Sequence, residues 1–141
     1  GRDMFAPVIG NILSNIPPAS FGPEINDPYL LTEDVKIEKD KMTGKVIHID
    51  RFGNLITNLQ LTNLKKVYVW EPQNYNKSVI EICGVKIFGV KNHYSQGHEK
   101  EPILLVGSAG FLEISVNRNS AKDVLNANIG DSVCFTGMKN K

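Results

Sequence analysis

The chain has 141 residues, of which 41% are hydrophobic and 22% charged, and 16 Lys and Arg against 15 Asp and Glu leave a net charge of +1. This composition is typical of a globular domain with a real core and excludes a disordered chain. The charge is too small to direct the whole chain onto nucleic acid or an anionic membrane, and no apolar run approaches the roughly 20 residues that span a bilayer.

The first sixteen residues carry apolar side chains at helical spacing, although Pro7 and Gly10 interrupt the pattern. We predict a short, broken helix over residues 3–15 and interpret residues 1–16 as the tail of another folded unit. Four prolines follow within twelve residues. Because proline restricts the backbone and cannot donate a hydrogen bond, residues 17–30 are predicted to form a stiff, extended linker. The compact domain is expected to occupy residues 31–141.

From residue 31 onward the apolar residues alternate with polar ones, which is typical of short strands. A hairpin is expected across Cys83 and Gly84, and one short helix is expected after Ser120, whose side chain suits an N-cap. Short strands with little helix predict a mainly β domain, either a compact β-barrel or a sandwich. The predicted strands cover residues 34–39, 45–50, 55–59, 67–70, 79–82, 85–90, 103–106, 110–116 and 131–136.

The residue types that usually carry metal or nucleophilic chemistry are sparse and scattered. His93 and His98 share one predicted loop, but no second loop supplies Cys or carboxylates at metal-ligand spacing, so no metal site is predicted. The sequence contains no nucleophile elbow and no glycine-rich phosphate loop. The two cysteines, Cys83 and Cys134, have neither metal nor disulfide spacing, so we expect a reduced, cytoplasmic protein. In the absence of a cluster of ligand residues, we expect no cofactor.

The segment 49–58 combines Asp50, Phe52 and Asn54 within five residues, between two predicted strands. A carboxylate, a flat apolar ring and an amide that both donates and accepts can together recognise a nucleoside, because an adenine edge shows one donor beside one acceptor. The plainer alternative is a tight turn, since Gly53 and Asn54 both tolerate left-handed backbone.

The segment 107–117 has small residues immediately before a predicted strand, which would allow a ligand to approach the backbone closely. Glu113 interrupts the apolar strand and is expected to point away from the side of Leu112 and Ile114. The plainer alternative is a hairpin turn that leads into a strand with one solvent-facing glutamate.

Taken together, I-D-R-F-G-N-L-I-T-N and the later S-A-G-F-L-E-I-S-V-N resemble the C-terminal domain of the S-adenosylmethionine hydrolases that form adenosine, also called S-adenosyl-L-methionine hydroxide adenosyltransferases. The fluorinating and chlorinating enzymes are relatives of that family. The opening G-R-D-M-F-A-P-V is similar to the last motif of the family's N-terminal domain. The resemblance covers essentially the whole chain.

This resemblance implies an α/β N-terminal domain, a linker and a β-barrel-like C-terminal domain. It also implies a homotrimer, with the substrate held between the N-terminal domain of one subunit and the C-terminal domain of the next. In the family, water is thought to be activated by Asp, Arg and His in the N-terminal part, the His immediately before the position of Gly1. We therefore expect this chain to supply recognition groups, to contain no catalytic residue, and to be inactive alone.

For the adenine end of the substrate, the resemblance implies five contacts. Phe52 would form part of the pocket wall, and Tyr94 would place an aromatic ring against the base. Asn54 would read the adenine edge with its amide. Backbone groups of Val116 and Arg118 would meet the Watson–Crick edge.

For the methionine end, the resemblance implies that Asp50 accepts hydrogen bonds from the α-ammonium group and that Ser108 donates to the carboxylate. The halogenating relatives carry Arg after this Ser, whereas the present chain has Ala109. The spacing from Asp50 to Phe52 is also one residue shorter than in those relatives. Both differences favour a hydrolase, with S-adenosylmethionine as substrate and water as nucleophile, over a halide-using enzyme.

Two other classes of protein remain open from the residues. One is a non-catalytic module that binds adenosine or S-adenosylmethionine without turnover. The other is an oligonucleotide-binding barrel, which the 8% aromatic content and the lack of a basic stripe disfavour. We expect a small-molecule substrate and a neighbouring subunit as partners, and neither nucleic acid nor a membrane.

Overall fold

The computed structural model describes residues 3–27 and 35–140. Residues 1–2, 28–34 and 141 lie outside the described part, and with them the end of the predicted linker and the start of the predicted domain. The chain divides into two units, Gly1–Thr32 and Glu33–Lys141. None of the helices in the described ranges is long and apolar enough to cross a membrane.

The first unit contains helix α1, Phe5–Leu13, which confirms the helix predicted there. Pro7 does not break it, because proline is tolerated in the first turn of a helix, where N–H groups lack intrahelical partners. The predicted linker is not extended throughout, since Pro18–Phe21 forms a turn of 3-10 helix. A proline at the start of that turn already has the backbone φ that the turn needs.

The second unit is mainly β, as predicted. Its strands are joined mostly by short turns, and two α-helices lie between them, α2 (Leu61–Val67) and α3 (Ala121–Leu125). The strands are β1 (Lys36–Glu38), β2 (Lys41–Ile49), β3 (Leu55–Gln60), β4 (Val79–Ile82), β5 (Val85–Phe88), β6 (Pro102–Val106), β7 (Phe111–Val116) and β8 (Ser132–Thr136).

These strands form one antiparallel sheet in the order β5-β4-β8-β2-β3-β7-β6, with β1 paired to β2. The two outer strands of this order approach each other, and Val90 forms a parallel bridge with Leu104. The sheet is therefore a nearly closed barrel, which confirms the barrel-like architecture and settles the choice against an open sandwich. The hairpin across Cys83 and Gly84 is also confirmed, and both residues have positive φ as a two-residue turn requires.

The barrel interior is filled by alternate residues of the strands, including Met42 and Val46 on β2 and Leu112 and Ile114 on β7. The rings of Tyr68 and Phe135 meet edge to face with centroids 5.2 Å apart. Such packing of branched and aromatic side chains is what an alternating strand pattern provides.

Helix α2 was absent from the sequence prediction, and the strand predicted over residues 67–70 is wrong. The helix ends at Val67, and Tyr68 forms an isolated bridge with Lys139 rather than part of a strand. Leu64 and Tyr68 are both buried and four positions apart, and the N–H of Tyr68 donates to the carbonyl of Leu64 at 2.8 Å. The β-branched and aromatic composition of 67–70 favours a strand locally, but burial of these two side chains favours the helix.

Candidate functional site

A cavity of about 530 Å³ opens where β2 ends and β7 ends. It brings together six of the seven residues that the sequence singled out, although they come from three separate segments of the chain. Two neighbouring asparagines, Asn117 and Asn119, complete the lining and were not predicted. The six predicted lining residues are Asp50, Phe52, Asn54, Tyr94, Val116 and Arg118.

The carboxylate of Asp50 organises the turn between β2 and β3. Its Oδ1 accepts from the backbone N–H groups of Phe52 and Asn54 at 2.8 and 2.9 Å, and its Oδ2 accepts from Nδ2 of Asn54 at 2.9 Å. The turn predicted from Gly53 and Asn54 is therefore present, and it is built around the same residues that the ligand hypothesis uses. The turn interpretation and the binding interpretation do not exclude each other.

These contacts also determine the protonation of Asp50. Burial raises the pKa of this carboxyl, but hydrogen bonds from the side chain and backbone of Asn54 and from the backbone of Phe52 and Gly53 outweigh burial and lower the pKa below its ordinary value. A carboxylate that accepts several N–H bonds is stabilised in its charged form. Asp50 therefore presents a negative charge to the cavity.

Gly53 lies against Ser120, the residue that precedes α3, and this close contact fixes the turn in place. Its φ is +83°, and a Cβ at this position would come within 2.9 Å of the Cα of Ser120. The carbonyl of Gly53 accepts from the N–H of Lys122 at 3.0 Å. Ser120 accepts from the N–H of Asp123 at 3.2 Å, which confirms it as the N-cap of α3.

Asn54 is buried, with 8% of its surface exposed, yet it lines the cavity. One hydrogen of its amide is used by Asp50. Within the described part of the chain, Oδ1 of Asn54 accepts no hydrogen bond and the second amide hydrogen has no partner. An amide with one free acceptor and one free donor can still form a pair of hydrogen bonds with a ligand.

Two aromatic rings stand at the cavity with much of their surface uncovered. Phe52 is 63% exposed and Tyr94 is 49% exposed. The guanidinium carbon of Arg51 lies 4.7 Å from the centre of the Phe52 ring, within the range of a cation–π contact. Exposed aromatic faces at a cavity mouth are suited to pack against a planar ligand.

The hydroxyl of Tyr94 donates to Oε1 of Glu113 at 2.9 Å, and Oγ of Ser115 donates to the same atom at 3.1 Å. Glu113 is only 9% exposed, so the interpretation of a solvent-facing glutamate is wrong. Glu113 does point away from Leu112 and Ile114, which fill the barrel interior, but the Tyr94 loop covers this face of β7, so the carboxylate is not exposed to water.

The environment of Tyr94 strongly disfavours its ionisation. Burial raises its pKa first, and the hydrogen bond to Glu113 and the negative charges of Glu113 and Asp50 raise it further, to about 12. Removal of the phenol proton would place a third negative charge beside two carboxylates. The hydroxyl of Tyr94 therefore remains a hydrogen-bond donor at neutral pH.

The chain turns sharply after β7, which places Val116 and Arg118 at the cavity. The N–H of Asn119 donates to the carbonyl of Val116 at 3.2 Å, and Arg118 has a φ of +56°. Nδ2 of Asn117 donates to the carbonyl of Gly97 at 3.1 Å, which ties this turn to the Tyr94 loop. The run N-R-N after an apolar strand is the turn signal that predicts a bend at Asn117 and Asn119.

Ser108 is the one predicted site residue that the structure does not bring to the cavity lining. It is exposed in the four-residue turn between β6 and β7, where the N–H of Gly110 donates to the carbonyl of Gly107 at 2.9 Å. The turn is nonetheless adjacent to the Tyr94 network. A Cβ on Gly107 would come within 2.8 Å of Oε2 of Glu113.

Comparison with known proteins identifies the family of this domain and agrees with its fold. Residues 44–134, which include β3 and β7 and the turns at the cavity, match the family model described as the SAM hydroxide adenosyltransferase C-terminal domain. The chain belongs to this family.

Two relatives illustrate the likeness. The chain is 32% identical over 131 residues to the (R)-S-adenosyl-L-methionine hydrolase of Thermus thermophilus and 37% identical over 136 residues to that of Methanocaldococcus jannaschii. These alignments cover 89% and 94% of this chain but only 44% and 46% of the relatives. The chain thus spans about half the length of the curated relatives it matches.

Solved structures show the same arrangement. An uncharacterized conserved protein from Thermotoga maritima superposes with a TM-score of 0.69 at 28% identity, covering 96% of this chain and 51% of that one. A conserved hypothetical protein from Thermus thermophilus superposes with a TM-score of 0.61 at 30% identity, covering 98% and 52%.

Proposed function

We propose that this chain is the part of an S-adenosyl-L-methionine hydrolase that recognises the adenosine and methionine groups of the substrate. The reaction is attack of water on the ribose C5′, which forms the C5′–oxygen bond, breaks the bond to the sulfonium sulfur and releases methionine, adenosine and one proton. The observation that carries the proposal is that six residues chosen from sequence line one cavity. The (R) configuration in the names of the relatives suggests the same substrate isomer here.

In this proposal the adenine ring lies between the aromatic faces of Phe52 and Tyr94. The free Oδ1 of Asn54 accepts from the adenine amine, while its remaining N–H donates to the adjacent ring nitrogen. Backbone groups of Val116 and Arg118 meet the rest of the base edge. Because Asn54 is buried, a ligand that fails to satisfy its amide would leave polar atoms unpaired, which favours adenine over other bases.

At the other end, Asp50 binds the α-ammonium group of methionine. Its lowered pKa means that it is charged at neutral pH, and a charge-assisted hydrogen bond is the stronger kind. Each carboxylate oxygen can accept more than one hydrogen, so Asp50 can hold the turn and the ligand together. Ser108 would donate to the substrate carboxylate from the edge of the site, since it lies outside the cavity lining.

The chemical step needs a water molecule in line with the C5′–sulfur bond and shielded from bulk solvent. We propose that the groups which activate this water come from the N-terminal domain of a neighbouring subunit in a homotrimer. The cavity of this chain then forms one half of the site and supplies no catalytic residue. No metal and no cofactor is proposed for the reaction.

The proposal is tested with the protein that includes its N-terminal domain. Incubation with S-adenosylmethionine should release adenosine and methionine in equal amounts by chromatography, and Asn54→Ala should reduce this release. If added chloride yields a nucleoside that carries chlorine at C5′ instead of a hydroxyl, the halide-using alternative is favoured. Tight binding of S-adenosylmethionine by calorimetry without any product would favour a non-catalytic binding module, and neither binding nor product would reject the proposal.

A further inference from the structure

Glu113 is a buried carboxylate that the proposed recognition scheme leaves without a role. It is 9% exposed on β7 and forms no ion pair with any described Lys, Arg or His. A carboxylate in such a place is costly unless hydrogen bonds compensate its charge. The hydroxyls of Tyr94 and Ser115 provide two such bonds, both to Oε1.

The two donors, Tyr94 and Ser115, belong to different parts of the chain, so their hydrogen bonds to Glu113 have different structural effects. Ser115 is itself on β7, two residues from Glu113, so its bond is local. Tyr94 belongs to a short 3-10 turn, Tyr94–Gln96, nineteen positions earlier in the chain. The hydrogen bond from its hydroxyl therefore connects a loop to a strand of the rigid barrel.

The backbone of the Tyr94 loop is anchored at several points, but among the described residues the phenol hydroxyl itself is hydrogen-bonded to Glu113 alone. Nδ2 of Asn117 holds the carbonyl of Gly97, and the ring itself is 49% exposed. A half-exposed side chain on a loop would rotate among several rotamers if nothing held its end. Glu113 accepts a hydrogen bond from the far end of the phenol and so selects one ring orientation at the cavity.

We propose that Glu113 is a positioning residue, which holds the ring of Tyr94 as a fixed wall of the cavity and thereby determines how tightly the cavity binds a purine nucleoside. This role rests on the proposed function only for the identity of the ligand. Glu113 acts through the Tyr94 hydroxyl and touches no ligand. An orientation fixed before binding saves the entropy that a mobile ring would lose on stacking.

The surroundings of the carboxylate explain why glutamate fits here. Gly107 leaves room for Oε2, since a Cβ there would lie 2.8 Å away. The apolar residues on either side, Leu112 and Ile114, fill the barrel interior, which keeps β7 in register while Glu113 faces the loop.

A double-mutant cycle separates a positioning role from a merely structural one. Tyr94→Phe keeps the ring and removes its hydroxyl, Glu113→Leu removes the acceptor, and Glu113→Gln keeps an oxygen that can accept. Each of the first two changes should weaken adenosine binding about tenfold by calorimetry, the effect expected for losing one charge-assisted hydrogen bond. The double variant should be no weaker than either single one, and Glu113→Gln should restore part of the affinity.

If Glu113→Leu weakens binding as much in the Tyr94→Phe background as in the wild type, Glu113 acts independently of the hydroxyl and the proposal is wrong. Should the leucine variant fail to fold, the cycle is completed with Glu113→Ala, which also removes the acceptor. Ser95→Ala is the matched control, because its hydroxyl lies within hydrogen-bond distance of His93 in the same loop and not of Glu113.

A second measurement needs no ligand and distinguishes this proposal from the proposed function. Amide hydrogen exchange at Gln96 and Gly97, whose N–H groups close the Tyr94 turn, should be about tenfold faster in Glu113→Leu and in Tyr94→Phe, with the barrel strands unchanged. Unchanged exchange in both variants would overturn the positioning role even if adenosine binds. Faster exchange in a protein that binds no adenosine would reject the proposed ligand and retain the positioning role.

Discussion

Nδ2 of Asn54 donates to Oδ2 of Asp50 at 2.9 Å, so the two side chains proposed for opposite ends of the substrate form one hydrogen-bonded pair. The same carboxylate also holds the backbone N–H of Asn54. The orientation of the Asn54 amide, and with it the side that faces the base, therefore depends on Asp50. Removing Asp50 is expected to weaken adenine recognition as well as binding of the ammonium group.

Asn54→Ala should weaken adenosine binding by about 1–3 kcal/mol, because the adenine edge would lose its partner inside a site that excludes water. Isothermal calorimetry measures the change. Asn76→Ala is the matched control, since Asn76 is exposed and does not line the cavity, and it should leave the affinity unchanged. Equal affinity of wild type and Asn54→Ala would remove Asn54 from the site.

Acid should destabilise the wild type more than Asp50→Asn. The pKa of Asp50 is lowered in the folded protein from an ordinary value of 3.8, so its contribution to stability is present above that value and is lost as the pH falls through the lowered pKa. Melting temperatures from neutral pH to below 3.8 test this. An Asp50→Asn variant with the same acid dependence as the wild type would contradict the prediction.

Gly53→Ala should destabilise the domain more than Gly84→Ala. Both glycines have positive φ, which costs a side-chain-bearing residue about 1–2 kcal/mol. A Cβ on Gly84 meets nothing within 4 Å, whereas one on Gly53 overlaps Ser120 and should add about 1–3 kcal/mol of strain. Chemical denaturation of the two variants compares these costs, and equal stabilities would show that the turn can move away from α3.

Tyr94 should be among the last tyrosines to titrate. Its pKa is raised to about 12, so ultraviolet titration of Tyr94→Phe should lack a phenolate transition near that pH, and Glu113→Gln should shift the transition downward because a negative neighbour is lost. The associated stability is present below the ordinary value of 10.0 and is lost as the pH rises through the raised pKa. If the titration curves of the wild type and of Tyr94→Phe are the same near pH 12, the raised pKa of Tyr94 is contradicted.

Two inactive variants of the protein that includes its N-terminal domain should complement each other. One would carry Asp50→Ala, and the other would lack the histidine that the family resemblance places in the N-terminal domain. Refolded as a mixture, they should regain part of the hydrolase activity, because some interfaces of the proposed homotrimer would pair two intact halves. No recovery in any mixture would mean that each site lies within one chain.

The strands and the site turn could be predicted because their signals are local. Alternation identified β2, β3 and β7, and the hairpin at Cys83 and Gly84 followed from turn residues between two short β-rich runs. Helix α2 could not be separated from a strand, since only burial against the barrel decides how Leu64 and Tyr68 are arranged.

The contact between Tyr94 and Glu113 lay beyond what the sequence indicates. Its partners are nineteen positions apart, and their meeting depends on how a loop of thirteen residues between β5 and β6 folds back over the end of β7. A glutamate in an apolar run signals either a solvated face or a buried partner, and local pattern does not distinguish them. The same limit applies to Ser108, whose position relative to the cavity is set by long-range packing.

The near closure of the barrel at Val90 and Leu104 affects how the sheet meets other chains. An open sheet offers rows of unpaired N–H and C=O groups that recruit foreign strands. Here the N–H of Lys91 donates to the carbonyl of Leu104 at 2.7 Å, so part of the outer edge of β6 is already hydrogen-bonded within the chain. This seam has less ladder pairing than the joints between β2, β3 and β7, and it is where the barrel should open first. Because the Tyr94 loop leaves from this seam, its hydrogen bond to Glu113 on β7 ties the loop to a strand that is paired on both sides, away from the weakest joint of the barrel.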